Sequence, residues 1–172
     1  MSRIVKDTLR LVAITLIAGV LLSVVYSVTK DTIAAAKEEE LQASYREVFP
    51  QAASFEAVEG KCPAELSGGN VTLNAALYAK DESGADIGCV LSLTSHEGYA
   101  GDIVLSLGIS KTGEITGVKV TQMSETSGLG ANCQNEDWIG QFKGINSGSV
   151  KFTKTGKTAS DEIDAISGAT FT

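Results

Sequence analysis

A short list of residues could do chemistry. Near the C-terminus, Asp164-Ala165-Ile166-Ser167-Gly168-Ala169-Thr170 sets the Thr170 hydroxyl among tiny neighbours, with a carboxylate six positions upstream. Small neighbours leave room for a bulky group, or a modifying enzyme, to approach that hydroxyl. An ordinary turn has the same composition, and spacing alone does not separate the two. A second stretch, Ser124-Glu125-Thr126-Ser127-Gly128-Leu129-Gly130, is a Gly-rich loop whose backbone N–H groups could approach an anionic ligand. It reads equally well as a tight structural loop. Gly156-Lys157-Thr158 has the ending of a phosphate-binding P-loop, but Lys151 stands where the required glycine belongs. His96 has no plausible nucleophile placed with it, so it is read as a structural or solvent-facing residue rather than part of a triad. It is the one histidine in the chain, which excludes any site built on two imidazoles. Cys62, Cys89 and Cys133 include no CxxC pair, so no all-cysteine zinc or iron–sulfur cage is expected. An odd cysteine count leaves at least one thiol free within a monomer.

The elements that would position these residues follow from charge and periodicity. With 172 residues, 43% hydrophobic and 20% charged, the chain suits one domain with an appendage. Its basic residues are few and scattered, so nucleic acid is not expected as a partner. Leu11 to Thr29 holds no Asp, Glu, Lys or Arg; at about 1.5 Å per residue it reaches roughly 28 Å, enough to cross a bilayer. Arg3, Lys6 and Arg10 precede it against Asp7, while Lys30 and Lys37 after it are diluted by Asp31 and Glu38-Glu39-Glu40. That asymmetry predicts a cytoplasmic N-terminus (residues 1–10), a transmembrane helix (11–29) and an outer C-terminal domain. The first 28 residues carry +2 and, out of a total of −7, the remainder carries −9. Ala34-Ala35-Ala36 resembles a signal-peptide cleavage site, but the apolar run is long and Lys30 and Asp31 intrude, so an uncleaved anchor is expected. Residues 30–49 contain no Gly or Pro and should continue as a helical stalk that stops before Pro50.

Beyond Pro50 the pattern becomes strand-like. Asn74–Lys80 and Ile87–Ser95 flank Asp-Glu-Ser-Gly-Ala-Asp as a hairpin. Asp102–Ser110 and Ile115–Val120 alternate as half-buried strands around a Lys111–Glu114 turn, and Val150–Thr153 adds another. Asn135 followed by Glu136 and Asp137 predicts an N-capped short helix. The expected class is α+β: a twisted, largely antiparallel sheet with flanking helices over 50–172.

Four stretches then occur in a familiar order: Gly98-Tyr99-Ala100-Gly101, Gly113-Glu114-Ile115, Glu125-Thr126-Ser127-Gly128-Leu129-Gly130 and Ser167-Gly168-Ala169-Thr170. With the N-terminal apolar segment they make the chain resemble the FMN-binding domain family. The resemblance is strongest to the G subunits of Rnf-type ion-translocating oxidoreductases, to which the C subunits of sodium-pumping NADH:quinone reductases are related. The family's attachment pattern is Asp, two residues, Ser or Thr, then Gly-Ala-Thr, and 164–170 matches throughout. The resemblance implies one FMN per chain, bound covalently through its phosphate to Thr170 by a flavin transferase that uses FAD. It further implies that Ser167, Gly168, Ala169 and Asp164 shape the pocket and the transferase recognition site. Glu125, Thr126, Gly128, Leu129 and Gly130 would line the flavin or its ribityl chain.

The function so implied is that of a single-pass protein of the cell (inner) membrane, with its FMN domain on the extracytoplasmic side. It would carry electrons within a ferredoxin:NAD+ oxidoreductase complex coupled to Na+ or H+ transport. Its partners would be the other membrane and peripheral subunits and the bilayer, with no metal site and no independent catalytic activity of its own. The alternatives are a C-type subunit of the quinone reductase, a stand-alone anchored FMN regulator, and an outer binding module without flavin. Two departures stand out. Ser127 replaces a common family proline, and the chain ends at Thr172 where relatives continue into a further helix, so a truncated C-terminus is expected.

Overall fold

The computed structural model describes residues 3–58 and 69–169. The chain divides into two compact units, Met1–Glu40 and Leu41–Thr172. One helix, α1 (Arg3–Val48), supplies the described residues of the first and the opening of the second. Within the first unit, α1 is long and apolar enough to cross a membrane, with a mean hydropathy of 2.5 over its best window. Leu16, Leu21, Leu22 and Val25 present their side chains outward. Two threonine hydroxyls in this stretch turn back on their own helix: Thr15 Oγ1 donates to the Leu11 carbonyl (3.1 Å) and Thr29 Oγ1 to that of Val25 (2.8 Å). Neither hydroxyl is then left as a donor facing hydrocarbon, as a lipid-spanning segment requires.

The second unit opens with the last turns of α1, which are part of its core. Tyr45, Val48 and the following Phe49 are almost wholly buried, packed with Leu77, Ala79 and Val90. Burial of such side chains contributes roughly 1.5–3 kcal/mol each. Pro50 lacks the N–H to extend the helix, so the chain turns into β1 (Ser54–Ala57). There follow β2 (Val71–Lys80), β3 (Asp86–Ser95), β4 (Ile103–Ser110) and β5 (Ile115–Gln122), each antiparallel to its predecessor in a five-stranded meander, β1-β2-β3-β4-β5. The β2–β3 turn is held by Asp81, whose Oδ1 accepts from the Ser83 hydroxyl (2.6 Å) and the N–H groups of Ser83 (2.8 Å) and Ala85 (3.0 Å).

The helix end lies unusually close to the sheet. Gly108 on β4 and Gly117 on β5 face each other across the ladder. A Cβ on Gly108 would come 2.6 Å from the Val48 carbonyl oxygen, and one on Gly117 would come 2.8 Å from the Val48 Cα. The absent side chains let the Val48 carbonyl drop far enough to accept a hydrogen bond from Thr116 Oγ1 at 2.6 Å. Beside it the buried hydroxyls of Ser44 and Ser106 pair at 2.9 Å, and Ser44 donates on to the Leu41 carbonyl.

The remaining elements are short. A 3-10 turn (Gly130–Gln134), the helix α2 (Glu136–Ile139) and a second 3-10 turn (Gly140–Phe142) precede β6 (Lys151–Thr153) and β7 (Glu162–Asp164). The α+β class, the hairpin and the antiparallel strands agree with the periodicity, with ends shifted by one to three residues. Two strands go beyond what the periodicity predicts: β1, and β7, which pairs parallel to β6.

Filling the glycine floor should therefore be costly. Gly108→Val is expected to lower stability by about 1–3 kcal/mol or more, because the helix end must lift off the sheet. Gly140→Ala serves as control: its Cβ would meet nothing and its φ of −58° suits alanine. Denaturant midpoints of the detergent-solubilised chain should fall for the first and stay or rise slightly for the second.

Candidate functional site

The site is assembled from the segment after β5. Asn135 caps α2 by accepting from the Asp137 N–H at 3.2 Å, and Glu136 and Asp137 complement the helix start. This fixes Trp138, whose ring stands edge-on to Phe142 with centroids 5.2 Å apart. Trp138 Nε1 donates to the Asp164 carbonyl at 2.6 Å, and Gln141 Oε1 accepts from the Asp164 N–H at 2.8 Å. Two side chains of one segment thus clamp both backbone polar groups of Asp164. The Ala165 N–H then donates to the Thr153 carbonyl (2.8 Å), and Ile166–Ala169 closes a turn with Ala169 N–H to Ile166 C=O at 3.2 Å. Gly168 sits at φ +80°, where a side chain would be strained and its Cβ would lie 2.8 Å from Leu129 Cδ2. From below, Trp138, Ile139 and Ile166 pack on Ile103, Val120 and Cys133, a second core cluster that ties the site to β4 and β5.

Between these parts lies a cavity of about 690 Å³ lined by Trp138, Phe152, Lys154 and residues 163–169. Of the residues picked out in the sequence, Asp164, Ser167, Gly168 and Ala169 are on its wall. Thr170 lies outside the described residues, as does Cys62. The 125–130 loop stands apart: among the described residues none of Glu125, Thr126, Gly128, Leu129 and Gly130 lines the cavity. Glu125 Oε1 accepts from the Ala100 N–H at 3.1 Å, which joins this loop to the Gly98–Gly101 turn. The N–H groups of Leu129 and Ala131 both go to the Thr126 carbonyl, so they are committed within the loop rather than offered to an anion. Leu129 supports the 167–169 turn through Gly168.

Trp138, Phe152, Lys154 and Gln141 are site residues that sequence reasoning missed. The signal for them was thin: a lone tryptophan just inside a capped helix, and an aromatic between two lysines on a short strand. Phe152 is 75% exposed, uncommon for a phenylalanine without a partner. Elsewhere, the P-loop-like Gly156-Lys157-Thr158 is occupied by a carboxylate. Glu162 Oε2 accepts from Thr158 N (2.9 Å), Thr158 Oγ1 (2.9 Å) and Ala159 N (3.1 Å). His96 bridges Asp102 Oδ1 (Nδ1, 2.8 Å) and Thr72 Oγ1 (Nε2, 2.9 Å), a structural tie between strand ends. Cys89 and Cys133 are free thiols. Burial pushes both upward in pKa, with the Glu125 charge adding to Cys133, so neither is a ready nucleophile.

Comparison with known proteins gives a consistent result. Residues 98–172 match the family described as FMN-binding domain, and residues 1–48 match the RnfG N-terminal region. The G subunit of the ion-translocating oxidoreductase complex of Methanosarcina acetivorans is 35% identical over 172 residues, covering 98% of this chain and 86% of its own. The G subunit of the Na(+)-translocating ferredoxin:NAD(+) oxidoreductase complex of Acetobacterium woodii is 32% identical, covering 97% and 83%. The crystal structure of Shewanella oneidensis NqrC shares the fold, with a TM-score of 0.57 over 80% of this chain and 87% of that one, at 16% identity.

The cavity's residues fit an FMN. Trp138, Phe152, Ile163 and Ile166 offer apolar and aromatic walls to a flat ring, and Lys154 supplies a cation for its anionic parts. Asp164 Oδ1 is buried without a hydrogen-bond partner among the described residues. Such an acceptor needs a donor from outside them.

The β6–β7 connection gives the site an acid sensitivity. Glu162 is held below its ordinary value of 4.5 by the backbone N–H groups of Thr158 and Ala159 and the Thr158 hydroxyl. Asp161 is lowered by its hydrogen bond to Lys151. Both pKa values are depressed in the folded state, so their contributions are present above the ordinary carboxylate range and lost as pH falls through the folded values. The fluorescence of Trp138, the one tryptophan in the chain, should therefore change below about pH 4.5 as β7 loosens. Glu162→Gln should remove the part of that transition due to Glu162; an unchanged acid profile would show that the loop does not hold β7.

Proposed function

The chain belongs to the family of G subunits of Rnf-type ion-translocating oxidoreductase complexes, and from that premise we propose that it is their membrane-anchored electron carrier. FMN is joined through its phosphate to Thr170, and a flavin transferase installs it from FAD. One observation carries the assignment: residues 164–169 form one wall of an aromatic-lined cavity and run directly into Thr170. The flavin supplies the redox chemistry. The chain's own residues position it, with the Trp138 and Gln141 clamp on Asp164 fixing the strand that leads to the acceptor. Gly168 and Ala169 put no bulky side chain next to Thr170 in the sequence.

The bias of Arg3, Lys6 and Arg10 before the apolar run supports a cytoplasmic N-terminus, with the FMN domain on the extracytoplasmic side. There it would exchange electrons with other subunits of a complex that couples ferredoxin:NAD+ chemistry to Na+ or H+ movement.

Thr170→Ala should abolish in-gel flavin fluorescence while the protein stays in the membrane. A fluorescent mutant would move the attachment to another hydroxyl, with Thr172 the nearest threonine. For topology, a reporter active only outside the cytoplasm, fused after Lys37, should be active. An inactive fusion beside an active N-terminal one would invert the assignment.

A further inference from the structure

Charge is distributed unevenly along residues 29–172. From Trp138 to Ser160 the chain carries Lys143, Lys151, Lys154 and Lys157 and no Asp or Glu, whereas residues 29–172 together carry −9. Without those four lysines the rest of that region stands at −13. Lys151 is paired with Asp161 at 2.7 Å. Lys143, Lys154 and Lys157 are exposed and have no ion pair among the described residues. Between Lys151 and Lys154 stands the exposed ring of Phe152, and Phe152 and Lys154 both line the cavity. An exposed apolar ring followed in sequence by Lys154 and Lys157, neither in an ion pair among the described residues, on a strongly acidic domain, is the composition of an interaction patch rather than of a solvated surface.

Resting on the electron-carrier reading above, we propose that β6 and the loop after it (residues 151–157) are the docking surface for a redox partner protein of the complex. The partner's complementary face is acidic around an apolar centre. The observations favour a protein over an anionic lipid surface. The rest of the domain would be repelled by anionic headgroups, and a single aromatic with a few lysines is a weak interfacial anchor. Electron transfer also needs the partner's redox centre close to the cavity, and Phe152 and Lys154 are where a partner would meet it. Charge complementarity of this kind steers encounter without demanding a tight complex.

The test uses the assembled complex in membranes. Lys157→Glu, outside the cavity walls, should leave flavin fluorescence at the wild-type level. At low salt the charge-reversed variant should slow NADH-driven flavin reduction about twofold or more, and the difference should shrink as salt screens the contact. Lys157→p-benzoylphenylalanine should cross-link on irradiation to an acidic segment of a neighbouring protein of the complex. Unchanged rates at low salt, or a cross-link to lipid alone or to nothing, overturns the docking surface. Absence of flavin from the wild-type chain would instead sink the carrier reading, so the two failures are told apart.

Discussion

The close seat of Val48 on the sheet is the constraint on which the second unit depends. Packed layers of secondary structure normally stand about 10 Å apart, held off by side chains on both. Here Gly108 and Gly117 remove them on one side, and the Val48 carbonyl comes within hydrogen-bonding distance of Thr116. Tyr45 and Phe49, on either side of that contact, then fill the space above β2 and β3. The same stretch of chain thus ends a long helix and supplies the largest fully buried side chains among the described residues. Tyr45, Val48 and Phe49 are therefore core residues of the second unit, packed with Leu77, Ala79 and Val90.

The site sits on a second, smaller cluster that the first does not reach. Ile103 and Val120 belong to β4 and β5, and they carry Trp138 and Ile166 above them. From there the clamp on Asp164 passes order to β7, and β7 passes it to the 166–169 turn. Each step is one or two hydrogen bonds, worth about 0.5–1.5 kcal/mol apiece. The sheet is the rigid part and the cavity its lightly held extension, as would suit a pocket loaded by a transferase in the way proposed above.

How far the sequence could be read follows from how local each signal is. The β2–β3 hairpin is written in Asp81 and Gly84, the α2 cap in Asn135, and the end of α1 in Pro50; each acts within a few residues. β1 and β7 span four and three residues, too short for alternation to show. The pairing of β7 with β6 is a parallel contact between segments whose register no turn dictates. Gly108 and Gly117 do mark a close approach in the sequence, but nothing there names Val48 as what approaches. The stretch 164–169 could be singled out because its motif is continuous, and it lies on the cavity wall. The rest of the wall could not, since Trp138, Phe152 and Lys154 come together only through the clamp. The 125–130 loop is ambiguous for the same reason: glycine-rich composition is shared by loops that offer their N–H groups outward and loops that use them internally, as Leu129 does here.

A covalent tether of the kind proposed for Thr170 would also let such a cavity be open. A micromolar site corresponds to about 8 kcal/mol of binding, and a nanomolar one to about 12 kcal/mol. Either would empty into a medium whose free FMN is far below those concentrations, since occupancy follows free ligand over Kd. A carrier that relied on affinity would have to enclose its flavin, and enclosure holds partners away from the ring. Once the phosphate is bonded to a side chain, occupancy no longer depends on concentration, and the walls need only orient. A cavity with one exposed aromatic at its edge, a turn of Gly and Ala, and few hydrogen bonds behind it is then sufficient. The same arrangement would fail in a dissociable flavoprotein, where each of those features would show as a lost cofactor.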